Sequence, residues 1–182
     1  MDSMTSSAHS TLLSRLQSNS AVIGIIGMGY VGLPLAIAFG EAGCRILGFD
    51  LDQAKTDDLN GGRSYIKHVA GERVAALQSA GLLEATSDMA RLGEPDALLI
   101  CVPTPLTRHL EPDLSYVVST TGMIARCLRR GQIVILESTT YPGTTTEVMT
   151  PVLEATGLKA GVDFFIAYSP EREDPGNPEF ST

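Results

Sequence analysis

Short continuous apolar runs alternate along the chain with stretches whose apolar positions fall three and four apart. The runs read as strands buried on both faces, and the periodic stretches as amphipathic helices. Ala21–Ile26 is such a run and ends in Gly27. A helix is expected from Val31 to Gly40, with Pro34 tolerated in its first turn. Arg45–Phe49 reads as a strand ending at Asp50, and Gln53–Asn60 as a helix stopped by Gly61 and Gly62. After a loop over Arg63–Ala70, Glu72–Ala80 reads as a helix closed by Gly81. Thr86, Ser87 and Asp88 offer caps to a short helix over Met89–Leu92. Ala97–Val102 reads as a strand broken at Pro103 and Pro105. Tyr116–Arg130 is expected to be the longest helix, its basic end (Arg126, Arg129, Arg130) suiting the negative end of the dipole. Ile133–Glu137 is a further strand. Thr145–Thr156 reads as a helix bent or reset at Pro151, and Phe164–Tyr168 as the last strand. The tail, Asp174–Thr182, has no periodicity.

Strands alternating with helices predict an α/β fold. It is a Rossmann-type, doubly wound, mostly parallel sheet, in a single domain over residues 21–182. Met1–Ser20 stands apart. It is rich in Ser and Thr, and Leu12, Leu13 and Leu16 fit one face of a short helix, so it reads as a flexible arm carrying a small docking helix. It lacks the basic start and apolar middle of a secretion signal, and Arg15 is its lone basic residue.

Composition narrows the function. With 43% hydrophobic and 19% charged residues among 182, the chain is an ordinary globular one. A formal charge of −8 disfavours nucleic acid and anionic lipid as partners. No apolar run is long enough to span a membrane. Cys44, Cys101 and Cys127 form no CxxC pattern and read as reduced, cytoplasmic thiols. His9, His68 and His109 form no ligand group, so no metal site is expected.

The strand ends carry the chemistry. Gly27, Asp50, Val102, Glu137 and Tyr168 all feed polar or glycine-rich loops, which a parallel sheet gathers along one edge, where ligands bind. Gly27-Met28-Gly29-Tyr30-Val31-Gly32 is a GxGxxG between a strand and a helix. Gly27 allows the tight turn, Gly29 lets a diphosphate approach the backbone, and Gly32 lets helix and strand pack. The helix N-terminus offers N–H groups to phosphate oxygens. Asp50, ending the second strand, is placed to accept the adenosine ribose hydroxyls and to repel a 2′-phosphate, favouring NAD over NADP, with Lys55 nearby to soften that preference. The competing role for Asp50 is a helix cap, for which Asp52 is a rival.

From Gly27 to Ala36 (Gly-Met-Gly-Tyr-Val-Gly-Leu-Pro-Leu-Ala) the sequence resembles the UDP-glucose/GDP-mannose dehydrogenase family, the nucleotide-sugar 6-dehydrogenases. The likeness continues at Cys101-Val102-Pro103-Thr104-Pro105, at Glu137-Ser138-Thr139-Thr140-Tyr141-Pro142-Gly143-Thr144-Thr145 and at Ser169-Pro170-Glu171-Arg172-Glu173-Asp174-Pro175-Gly176-Asn177. The resemblance implies oxidation of a UDP-sugar C6 hydroxymethyl to a carboxylate with NAD. It implies cofactor contacts from Gly27, Gly29, Tyr30, Val31, Gly32, Asp50, Lys55, Thr104, Thr139 and Thr140. It gives Thr140 a water to hold beside the reacting carbon, Glu171 general acid/base work and Arg172 a contact to substrate. Helix capping is the plain alternative for Thr139 and Thr140, and a solvated loop charge for Glu171. It also implies a homo-oligomer for the full-length enzyme.

Gly62-Arg63-Ser64-Tyr65-Ile66-Lys67-His68 and Ser169-Pro170-Glu171-Arg172 are similar to enzymes of UDP-N-acetylhexosamines, especially UDP-N-acetylglucosamine. A second glutamate of that branch falls here on Pro175, so its role does not transfer. The family chemistry also needs a nucleophilic cysteine in a Gly-x-x-Cys-x-Pro-x-Asp motif, which captures the aldehyde and carries it to a thioester. That motif is absent, and none of the three cysteines has its surroundings. The expectation is therefore the NAD-binding half of such an enzyme, inactive alone. A free-standing NAD-binding module without catalysis is the alternative.

Overall fold

The structure, a computed structural model, describes residues 2–106, 108 and 112–170, with side chains described from residue 8 onward. Six strands form one sheet: β1 (Val22–Ile26), β2 (Arg45–Phe49), β3 (Leu83–Thr86), β4 (Ala97–Ile100), β5 (Ile133–Leu136) and β6 (Phe165–Tyr168). Their order is β3-β2-β1-β4-β5-β6, and every pairing is parallel. That is the doubly wound Rossmann order, with its switch point between β1 and β4. The helices are α1 (Asp2–Gln17), α2 (Gly32–Glu41), α3 (Gln53–Asn60), α4 (Gly71–Ser79), α5 (Ser115–Cys127) and α6 (Thr150–Glu154).

Successive strand residues point to opposite faces, so each apolar run feeds two cores. Ala97 and Leu99 of β4 join Ile23, Ile25, Leu33, Ile37, Val74 and Leu77 in the core under α2 and α4. Leu98 and Ile100 join Phe49, Val117, Ile124, Val134 and Leu153 in the core under α5 and α6. This is why β4 is fully buried over its length. At about 25 cal/mol per Å² of apolar area removed from water, such burial is the main force holding the layers together.

Four details depart from the sequence pattern. First, β3 was not expected. Its four residues alternate buried and half-buried, with Leu83 and Ala85 turned inward, and so short a run carries little periodic signal. It is held by pairing with β2 and by Asn60, whose amide gives a hydrogen bond to Ala85 O and accepts one from Ala85 N, both at 2.8 Å. The side chain thereby satisfies the edge that the sheet leaves open.

Second, α5 ends at Cys127, and at 13 residues it is shorter than the 16-residue α1. Leu128 is extended, which carries Arg129 out of the helix. Its guanidinium instead binds the carbonyls of Gly93 and Pro95 and the carboxylate of Asp96. Third, the stretch expected as one helix begins as a π-helical turn, Thr144–Met149, which passes into α6 with Pro151 in the first turn.

Fourth, α1 is longer than the leucine pattern suggests. Leu12 is buried and Leu16 packs on the core, while Leu13 is exposed. Arg15 gives a hydrogen bond to Asp96 at 2.7 Å, and His9 meets the edge of the Phe165 ring. Asp96 sits at the amino end of β4 and also accepts from Val22 N at 2.9 Å. The helix is thus fastened to the edge of the sheet opposite the strand carboxyl ends.

Candidate functional site

At the carboxyl ends of β1, β2, β4 and β5 lies a cavity of about 440 Å³. Gly27, Gly29, Tyr30 and Val31 of the β1–α2 loop form one wall. Asp50, Leu51 and Lys55 line the β2 end, Val102, Pro103 and Thr104 the β4 end, and Ser138 and Thr139 the β5 end. α5 adds Tyr116, Ser119, Thr120 and Met123. The opening follows from topology. β1 turns to β2 on one side and the chain returns to β4 on the other, so the loops diverge at the switch point.

The glycines of the first loop divide the work. Gly27 has φ +92°, and a Cβ there would lie 2.6 Å from Cys101 O. A Cβ on Gly32 would stand 2.0 Å from Gly27 O, so α2 can start only where that position has no side chain. Gly32 is buried and does not line the cavity. A Cβ on Gly29 would meet nothing within 4 Å. Two glycines therefore build the loop, and the third faces open space beside the start of a ten-residue helix. That space, with backbone N–H groups around it, fits the diphosphate of a dinucleotide.

Asp50 is held from several sides. Its carboxylate accepts from Met28 N and from Asp52 N, both at 3.0 Å, and pairs with Lys55 Nζ at 3.2 Å. Capping of α3 falls to Asp52, which accepts from Ala54 N at 3.0 Å. A carboxylate offers about four acceptor positions. Three are used here, so one remains for a ribose hydroxyl, and the lysine ammonium has further protons to give. The donor set thus fits an adenosine ribose as well as a diphosphate.

Tyr65 braces the same corner. Its hydroxyl gives a hydrogen bond to Met28 O, and Lys55 Nζ lies 5.9 Å from its ring centre. Burial, then the nearby carboxylates of Asp50, Asp52 and Asp58, holds the phenol above the ordinary tyrosine range.

Of the residues singled out in the sequence, Gly27, Gly29, Tyr30, Val31, Asp50, Lys55, Thr104 and Thr139 line the large cavity. Thr140 faces a smaller one of about 300 Å³, with Tyr141, Gly143, Thr144 and Tyr168. Its Oγ1 lies 2.6 Å from Thr144 Oγ1, and Thr144 donates onward to Tyr141 O at 2.9 Å. The proton between the two threonines therefore comes from Thr140, whose oxygen keeps lone pairs to accept from a water. Glu171 and Arg172 lie outside the described residues.

Sequence reasoning missed the α5 wall. Tyr116, Ser119, Thr120 and Met123 fall at helical spacing on one face, a stripe that was legible but had no partner until the fold set it across from Asp50. Ser138 stands in the Glu137–Thr145 motif with nothing in its sequence surroundings to mark a role. Its hydroxyl donates to Val102 O at 2.7 Å and ties the β4 and β5 ends together. Cys101 is buried at the cavity wall, and Cys44 and Cys127 lie elsewhere. Among the described residues no His, Cys, Asp and Glu group is placed to hold a metal ion, and no helix is long and apolar enough to cross a membrane.

Comparison with known proteins matches this geometry. Residues 21–181 fit the model of the UDP-glucose/GDP-mannose dehydrogenase family, NAD binding domain. The UDP-N-acetyl-D-glucosamine 6-dehydrogenase of Pseudomonas aeruginosa is 40% identical over 158 residues, covering 86% of this chain and 36% of that protein. The UDP-N-acetyl-D-mannosamine dehydrogenase of Pyrococcus horikoshii is 37% identical over 155 residues, covering 85% of this chain and 37% of that protein. Among solved structures, a ternary complex of GDP-mannose dehydrogenase from Pseudomonas aeruginosa superposes with a TM-score of 0.80 at 32% identity, covering 84% of this chain and 36% of that one. The chain thus spans little more than a third of the length of these relatives. A GxGxxG loop with an acidic β2 end, in a sheet of Rossmann order and matched over nearly the whole described chain, leads to one conclusion: the chain belongs to the UDP-glucose/GDP-mannose dehydrogenase family, as an NAD-binding domain.

Proposed function

We propose that this chain forms the NAD-binding half of an enzyme that oxidises the C6 hydroxyl of a UDP-sugar to a carboxylate, the sugar being a UDP-N-acetylhexosamine. The observation that carries this reading is the cavity at the switch point, walled by Gly29 on one side and by Asp50 with Lys55 on another. Gly29, Asp50 and Lys55 would hold NAD there, and it would supply the hydride acceptor, one NAD for each of the two two-electron steps from alcohol to carboxylate. Residues 21–182 act as the dinucleotide unit, with residues 1–20 as a preceding arm. Gly27, Gly29, Tyr30, Val31 and Gly32 shape the diphosphate loop, Asp50 and Lys55 hold the ribose, and Thr104 and Thr139 line the path towards β5.

In the smaller cavity, next in sequence to Thr139, Thr140 accepts a hydrogen bond from a water and so fixes its orientation, its own proton being committed to Thr144. Glu171 takes the proton of that water, and Arg172 contacts the sugar nucleotide. The N-acetylhexosamine assignment is supported by the Arg63–His68 loop sequence and by what the two relatives above are named for. Cytoplasmic location and a homo-oligomeric full-length enzyme complete the proposal.

Cofactor placement is tested at Gly29. Gly29→Ala meets no neighbouring atom, so the unfolding midpoint should stay put. The added methyl should weaken NAD binding about tenfold by calorimetry, roughly the value of one lost hydrogen bond. Unchanged affinity would place the diphosphate elsewhere.

The sugar is tested with a chimera in which residues 21–182 replace the matching region of the Pseudomonas aeruginosa relative. It should form NADH from UDP-N-acetylglucosamine, whereas the 182-residue chain alone should bind NAD and form none. A folded, NAD-binding chimera inert towards every UDP-N-acetylhexosamine would refute the substrate class. Turnover by the chain alone would refute the half-enzyme reading.

A further inference from the structure

We infer that Tyr65 is a positioning residue of the diphosphate loop, acting through the peptide between Met28 and Gly29. The inference rests on the cofactor reading above and concerns a residue in a different element, the loop between α3 and α4.

Met28 is immobilised at three points. Its N–H is held by Asp50 at 3.0 Å, and its carbonyl by the Tyr65 hydroxyl. Its side chain is fully buried and packs against β2, where a Cβ on Gly48 would lie 2.8 Å from Met28 Sδ. A trans peptide is planar, and its C=O and N–H point in opposite directions. Holding Met28 O therefore holds Gly29 N–H as well, facing away from Tyr65.

Gly29 lines the large cavity and Tyr65 does not. Glycine rotates about its own dihedrals more freely than any other residue. A loop with glycines on both sides of Met28 would otherwise sample several orientations of this peptide. The Tyr65 hydroxyl selects one of them before the ligand arrives, which lowers the ordering cost of binding. Because its surroundings hold the phenol in the protonated form, it remains a donor throughout the neutral and mildly alkaline range.

Tyr65→Phe tests this in the 182-residue chain. The ring stays, with its packing on the core and its position beside Lys55, and only the hydroxyl is lost. NAD and adenosine are titrated separately, the first by calorimetry and the second by NMR. The variant should bind NAD about tenfold more weakly, one net hydrogen bond of loop ordering. Adenosine, which meets Asp50 but not the Gly29 amide, should bind within about twofold of the parent. The backbone order parameter of Gly29 in the ligand-free variant should fall, and the unfolding midpoint should drop by no more than the few degrees that one lost hydrogen bond accounts for.

Equal NAD affinity in parent and variant would overturn the role of Tyr65. So would a parallel loss for adenosine, which would mark a merely structural contribution. Should Tyr65→Phe fold poorly, the ligand-free parent still decides: its Gly29 amide should show a rigid backbone order parameter, and a mobile one would overturn the inference. No NAD binding by the parent chain would overturn the cofactor reading itself, a result distinct from the others.

Discussion

Asp50→Ala is expected to weaken NAD binding about a hundredfold and to turn the residual preference towards NADP. Hydrogen bonds to a charged acceptor contribute about 1.5–3 kcal/mol each, and the proposed ribose contact rests on this one carboxylate. The substitution also releases Lys55, whose ammonium now pairs with Asp50 at 3.2 Å. An ammonium without its carboxylate attracts a 2′-phosphate where Asp50 had repelled it. Calorimetric titration of both dinucleotides checks the two halves separately. Loss of NAD affinity without any gain for NADP would mean that Lys55 points elsewhere once freed. No change for either would remove the β2 end from the cofactor site. Asp50→Asn is the informative control. It keeps one acceptor oxygen, enough for either the Met28 or the Asp52 amide, which bind different oxygens of the carboxylate, and drops the charge.

Asp96→Ala is expected to destabilise the domain by about 3 kcal/mol, the lower end of what breaking a buried ion pair costs. Asp96 is 2% exposed and gathers Arg15, Arg129 and the Val22 amide from three separate segments. Both arginines reach solvent with part of their length, which tempers the penalty for leaving them unpaired. The Val22 amide has no such outlet at the start of a buried strand. Urea unfolding followed by circular dichroism gives the number. NAD affinity should be unaffected at temperatures where the variant is folded, because this cluster sits at the edge opposite the cavity. A variant as stable as the parent would mean that packing suffices for α1 and the Gly93 and Pro95 carbonyls suffice for Arg129.

The two substitutions report on opposite edges of one sheet, and the sequence disclosed those edges unequally. The cofactor edge was legible because its chemistry is local. Gly27, Gly29 and Gly32 lie within one turn of chain, between a strand and the helix it feeds, and Asp50 ends the next strand. Thr104 and Thr139 were legible only through resemblance, as short motifs at strand ends. The α5 stripe was legible as a pattern, but its place across from Asp50 was not, and neither was the brace from Tyr65 to Met28 O. They join residues 37 apart or more in sequence, and nothing in the local pattern says which loop will fold back on which. Asp96 was invisible for the same reason, since a lone aspartate after Pro95 gives no sign of two arginines converging on it.

Hydrophobic periodicity and glycine placement determined, from the sequence alone, the alternation of strands and helices, the strand that carries the glycine loop and the acidic residue beside it. These are properties of neighbours in the chain, set by backbone geometry and by which face must leave water. Tertiary structure decided the short edge strand Leu83–Thr86, the early end of α5 at Cys127, the docking of α1 through Arg15, and the hydroxyl that fixes the Met28 peptide. Each depends on a hydrogen bond or ion pair between distant segments. Its energy exists only once the sheet has brought them together.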